Sequence, residues 1–150
     1  MNLKTAEKNF SDTFAEIDLK IFNKNFLKVR KYACRKNADT KICSIVKANA
    51  YGHGMNVMAE SLIGSGTDYL GTADYTETSE LRNYLDSKKL YKTPVLCLGI
   101  ITEKNKLLED LACKNVEFSV ADTSSAVILN KASAATALEP AISSMLNTER

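Results

Sequence analysis

The chain has 150 residues, 20 basic against 18 acidic side chains and a formal net charge of +2. That length suits one domain able to bury about two-thirds of its unfolded surface. The balanced charge, with no clustered basic run, argues against nucleic acid as a partner and for small or neutral ones. Cys34, Cys43, Cys97 and Cys113 are widely spaced among apolar neighbours, unlike a zinc site or a redox pair, so they are expected to be buried free thiols with no metal. The polar N-terminus and short apolar runs indicate neither a secretory signal nor a membrane span, which places the chain in the cytoplasm.

Taken in order, the short segment TFAEIDL reads as extended. From Asp18, a plausible N-cap, apolar residues recur at Leu19, Phe22, Phe26, Val29 and Ala33, one face of a helix. KICSIVK is a β-branched run of strand length. A turn containing Gly52 and Gly54 follows, then a helical pattern at Met55, Met58, Ala59, Leu62 and Ile63 that Gly64 and Gly66 end.

The alternation continues. DYLGTA reads as a strand, Thr76 to Leu85 as a helix with Glu77 and Glu80 near its start, and PVLCLGII as a strand. Thr102 is expected to open a helix through Leu107, Leu108 and Leu111; VEFSV is a strand, and Asp122 caps a helix running from about Ser124 into an Ala-rich segment. About four βα units in a row argue for an α/β fold with a parallel sheet, either doubly wound or part of a (β/α)8 barrel. Periodicity does not choose between them, but a complete barrel takes about 250 residues, so four units amount to half of one.

One position invites chemistry. Lys47 stands at the C-terminal end of the first strand of the series, where active sites of parallel α/β folds collect. A lysine at a strand end can simply reach solvent. In a partly dry site it can instead lose its proton and condense with an aldehyde, pyridoxal phosphate being the common one.

The surrounding residues are more specific. VKANAYGHG, with AEIDL upstream and YLGTADYTETSELR and PVLCLG beyond, resembles the N-terminal half of bacterial alanine racemases, over roughly Thr13 to Lys131. The resemblance implies a pyridoxal 5'-phosphate enzyme interconverting L-alanine and D-alanine for peptidoglycan. Lys47 matches the lysine that binds the cofactor covalently and acts on the α-hydrogen of D-alanine, and Tyr51 the tyrosine that binds the cofactor phosphate. Ile45 and Leu98 fall where the family has apolar side chains beside the cofactor, although core packing explains them equally well. His53, the lone histidine, belongs to the turn signature and is expected to make a structural hydrogen bond; Asn49, Gly52 and Gly54 are expected to shape the turn.

The resemblance implies the N-terminal half of a (β/α)8 TIM-type barrel, without the family's C-terminal β domain. Residues 1–150 then form a partial barrel domain whose tail, from about Ser133, is atypical: the family continues into a further strand, whereas here the chain reads AATALEPAISSMLNTER. In the family the active site is completed in a homodimer, where a tyrosine of the partner's C-terminal domain is the second base. The chain alone is therefore expected to be marginally stable and inactive, a truncated enzyme. A serine racemase of the same fold and a non-catalytic pyridoxal-phosphate-binding protein are the alternatives.

Overall fold

The computed structural model describes residues 15–103, 105–134 and 141–144, the last of these in backbone only. Thr13 and Phe14 of the extended segment, and most of the tail beyond Ala134, lie outside the described residues. The first helix, α1 (Leu19–Ala33), begins where the sequence places it, because the Asp18 carboxylate accepts from the amides of Lys20 (2.8 Å) and Ile21 (3.0 Å). The strands are β1 (Cys43–Ile45), β2 (Tyr69–Thr72), β3 (Val95–Cys97), β4 (Val116–Val120) and β5 (Ala141–Ser144). Between them lie α2 (Lys47–Tyr51), α3 (Met55–Gly64), α4 (Tyr75–Ser87), α5 (Lys106–Ala112) and α6 (Thr123–Ser133).

The sheet runs β1-β2-β3-β4-β5, and every neighbouring pair is parallel. A doubly wound sheet reverses its strand order at a switch point and carries helices on both faces. Here the order never reverses, and the large apolar side chains are buried on one face only among the described strands. Leu70, Val95 and Val116 share one row, and Thr72, Cys97 and Phe118 the next; all six are buried. The opposite face carries Cys43, Ile45, Leu96 and Glu117, which are half-buried or exposed. This is a sector of a barrel wall, helices outside and the barrel interior on the other face. β5 was not anticipated, since the tail carries no strand signal of its own and takes its conformation from the open edge of β4.

Helices α3, α4, α5 and α6 dock through buried side chains, whereas α1 buries only Phe26 fully. Leu81 and Leu85 of α4 are fully buried, each contributing about 2 kcal/mol by removal from water. The buried Arg82 of the same helix holds the α4–β3 loop through the carbonyls of Leu90 and Thr93. Arg30 on α1 donates to Asp68 just before β2 (2.8 Å), and Asp68 also accepts from the Ile42 amide (2.9 Å). The guanidinium beside it holds the Asp68 carboxyl below the usual range.

Two expectations are corrected. Asn105, not Thr102, caps α5, its side chain accepting from the Leu108 amide at 2.8 Å. Of the four free thiols only Cys97 is buried; Cys34 is intermediate, and Cys43 and Cys113 are exposed, because they fall on the uncovered inner face and on a helix end.

α6 is anchored by a capping box in which Asp122 accepts from Ser125 N (2.7 Å) and Ser124 Oγ (2.7 Å), with Ser125 Oγ also bonded to the carboxylate. Hydrogen bonds from Ser125 and Ser124 lower the Asp122 pKa to about 2 from its ordinary 3.8. A depressed folded-state pKa means the stabilisation is present above the ordinary value and is lost as pH falls through the folded one. The start of α6 is therefore expected to loosen between about pH 4 and pH 2, checked by a carbon-detected titration of Asp122 beside amide exchange at Ser125. A midpoint at the free-aspartate value would refute the cap.

Candidate functional site

The site is built at the C-terminal rim, where β1 gives way to a turn. Val46 continues the ladder, its amide donating to Gly71 O at 2.8 Å, and its side chain is buried on the helix side. Val46 itself leaves the extended region, at φ −119° and ψ 14°, and Lys47 follows it as the first residue of α2. Lys47 is half-buried.

The next four residues leave the ordinary backbone regions. Ala48, Asn49, Ala50 and Tyr51 have φ of 50°, 54°, 53° and 54°, a single left-handed turn, before Gly52 at 85° and Gly54 at 92°. Each non-glycine residue there costs about 1–2 kcal/mol, so the turn persists only because it is held from several sides. Ala50 N bonds Val46 O at 2.7 Å and Gly54 N bonds Asn49 O at 2.9 Å. The Asn49 side chain accepts from the Met55 amide at 2.8 Å, satisfying an orphan donor at the start of α3. The His53 ring makes a long bond, Nδ1 to Tyr51 O at 3.3 Å, within the turn, and its amide donates to Ala50 O at 3.1 Å.

A third support comes from the next βα unit. Glu77 accepts from Ala48 N through Oε1 (2.6 Å) and from Ala73 N through Oε2 (3.0 Å). Asp74, the N-cap of α4, accepts in turn from Glu77 N at 2.9 Å. From the sequence Glu77 stood out only as a first-turn acid. The D-x-x-E spacing of Asp74 and Glu77, a capping-box pattern, was the available signal that this carboxylate turns back over the start of its own helix.

Ile45 and Leu98 meet on the inner face around Gly71. A Cβ on Gly71 would stand 2.5 Å from Ile45 Cδ1, 3.3 Å from Cys43 Sγ and 3.7 Å from Leu98 Cδ1, so a side chain there would fill a low apolar cradle just below the rim. Gly99 packs backbone against backbone, since a Cβ on it would lie 2.8 Å from Ala73 O. Below the cradle the inner face turns polar, where the Glu117 carboxylate, near the Tyr69 hydroxyl, pushes the phenol pKa up.

Tyr51 closes the turn four residues after Lys47 and is 62% exposed, its hydroxyl free of any described protein partner. On its other side Tyr51 lines a small cavity with Ile45, Ala50, His53, Phe22 and Met58, of about 160 Å³. Cofactor pockets usually span about 300–1,000 Å³, so this cavity is not itself a cofactor pocket. Among the described residues no three His, Cys, Asp or Glu side chains gather as metal ligands, and no helix is long and apolar enough to cross a membrane.

A singly wound parallel sheet, backed by helices and carrying an amine on a constrained turn at its C-terminal rim, defines a sector of a (β/α)8-type barrel. The chain belongs to the family described as alanine racemase, N-terminal domain, whose model matches residues 17–148. That match runs through the tail as far as Thr148, well past Ser133. The alanine racemase of Methanococcus maripaludis is 34% identical over 94 residues, 63% of this chain but 23% of that protein. The alanine racemase structure from Clostridium difficile superposes with a TM-score of 0.64 at 28% identity, over 83% of this chain and 29% of that one. The histidine racemase of Leuconostoc mesenteroides shares the fold, with a TM-score of 0.60, 24% identity and coverage of 81% and 29%. The chain thus spans less than a third of the length of these relatives.

Proposed function

We propose that this chain supplies the cofactor-anchoring part of a pyridoxal-phosphate-dependent amino-acid racemase acting on alanine, in the cytoplasm, for the D-alanine of peptidoglycan. The observation that supports the reading is the strained turn that directly follows Lys47 at the rim, with an apolar cradle at the neighbouring strand end, in a chain of this family. The residues present fit the cofactor. Lys47 offers a primary amine to its aldehyde carbon, Ile45, Gly71 and Leu98 offer an apolar surface to its ring, and Tyr51 offers a free phenol to its phosphate.

When bound, pyridoxal phosphate supplies an electron sink for negative charge at the α-carbon of an amino acid. The protein's share is orientation and proton transfer. Lys47 Nζ would take the α-proton of D-alanine and return it to the same face in the reverse direction. Racemisation also needs a base on the opposite face, and one lysine cannot serve both. A partner subunit would contribute that base, and the chain alone is expected to bind cofactor without racemising.

The histidine racemase neighbour bears on the substrate side chain only, since a protein of the same fold is named for a different amino acid. The decisive test is reductive trapping. The purified chain is mixed with pyridoxal phosphate, reduced with borohydride, digested and mapped by mass spectrometry. The expected result is one reduced cofactor on the Lys47 peptide, with labelling lowered roughly tenfold or more in total by Lys47→Ala. Equal labelling of wild type and variant would sink the reading, and racemisation of alanine by the isolated chain would refute the need for a second subunit.

A further inference from the structure

Glu77 bridges two rim segments that, among the described residues, no other side-chain hydrogen bond joins, and its position suggests more than helix capping. The Ala48 N–H belongs to the peptide plane that starts at the Lys47 carbonyl, so a carboxylate gripping that N–H fixes the Lys47 backbone dihedral that aims its side chain. The same carboxylate grips Ala73 N at the end of β2, and it stands on α4, a rigid element seated by Asp74 and by the Thr72–Thr78 hydroxyl pair at 2.6 Å. Among the described residues, the other hydrogen bonds of residues 48–54 stay within the segment 46–58. Glu77 is thus the tie that references the left-handed turn to the neighbouring βα unit.

We propose that Glu77 is a positioning residue for Lys47: its two carboxylate oxygens lock the first left-handed peptide against the β2 rim and so fix the backbone from which the Lys47 amine projects. This rests on Lys47 being the cofactor lysine. A carboxylate is required because both oxygens accept from amide N–H groups. An amide side chain must present an NH₂ to one of them, which leaves that N–H unpaired and lets the turn relax. An aspartate keeps the charge at the start of α4 but is one methylene short of spanning both loops.

The test uses the full chain as wild type, Glu77→Gln and Glu77→Asp, with two independent readouts. The first needs no cofactor: ¹⁵N order parameters at Lys47 and Ala48, expected to fall from about 0.85 to below about 0.6 in both variants. The second is the borohydride-trapped pyridoxal phosphate adduct at Lys47, expected to fall roughly tenfold while labelling of Lys20 on α1 stays level. Thermal unfolding accompanies both, and Glu77→Asp carries the test if Glu77→Gln fails to fold. Unchanged order parameters in a folded variant would overturn the clamp. So would a mobile turn with undiminished Lys47 labelling. If wild type shows no Lys47 adduct while the variants loosen the turn, the clamp stands and the cofactor reading falls.

Discussion

Arg82→Met is expected to lower the unfolding free energy by about 3 kcal/mol or more, a large fraction of what holds a domain of this size folded. The guanidinium is 1% exposed and spends its donors on three acceptors: Nε to Asp86 Oδ1 (2.9 Å), Nη1 to Thr93 O (2.8 Å) and Nη2 to Leu90 O (3.2 Å). The two carbonyls belong to the loop that returns the chain from α4 to β3, and a side chain of similar length that donates nothing leaves both short of a partner. Each such group costs about 1–3 kcal/mol. Against a typical total of about 5–15 kcal/mol, the midpoint should drop by roughly 6–12 °C. Arg82→Lys should not rescue it, because an ammonium cannot reproduce the planar fork. Thermal and urea unfolding decide the matter, and a loss under about 1 kcal/mol would show that water replaces the fork.

Asn49→Val is expected to cost about 2–4 kcal/mol and to abolish selective trapping at Lys47. Two effects add. Valine removes the acceptor for the Met55 amide, worth about 1 kcal/mol at a helix start, and puts a β-branched side chain at φ 54°, which asparagine tolerates and valine resists. Asn49 is exposed, so packing does not confuse the comparison. Asn49→Gly separates the terms, since it deletes the acceptor while keeping the left-handed backbone comfortable. Glycine should therefore retain trapping at Lys47 and lose about 1 kcal/mol. Equal losses in the two variants would mean that the cap, and not the backbone, holds the turn.

The Lys47 segment shows how far local reasoning reaches. That Gly52 and Gly54 shape a turn after the first strand was legible from the motif. The handedness of the turn was not, because nothing in Ala-Asn-Ala-Tyr asks for a positive φ and alanine alone favours the right-handed form. The reason lies in Glu77, 29 residues on from Ala48, and in the Met55 amide that Asn49 must reach. β1 is likewise shorter than its apolar run, because pairing with β2 gives way where the turn begins.

What the sequence by itself determined are the features decided within a few residues: Asp18 and Asp122 as caps, the span of β4, the βα alternation and the α1 stripe as far as Phe26, beyond which Val29 and Ala33 of the expected stripe are exposed. Where two local signals competed, as with Thr102 and Asn105 before the same leucines, the spacing could not arbitrate. Only the tertiary structure decided that the sheet is singly wound, that Ile45 and Leu98 flank Gly71, that β5 adds to the edge of β4, and that Cys43 lies on an uncovered face. The physical reason is common to all four. Strand order, register and face are set by contacts between segments tens of residues apart, whose energies appear only once the strands are side by side.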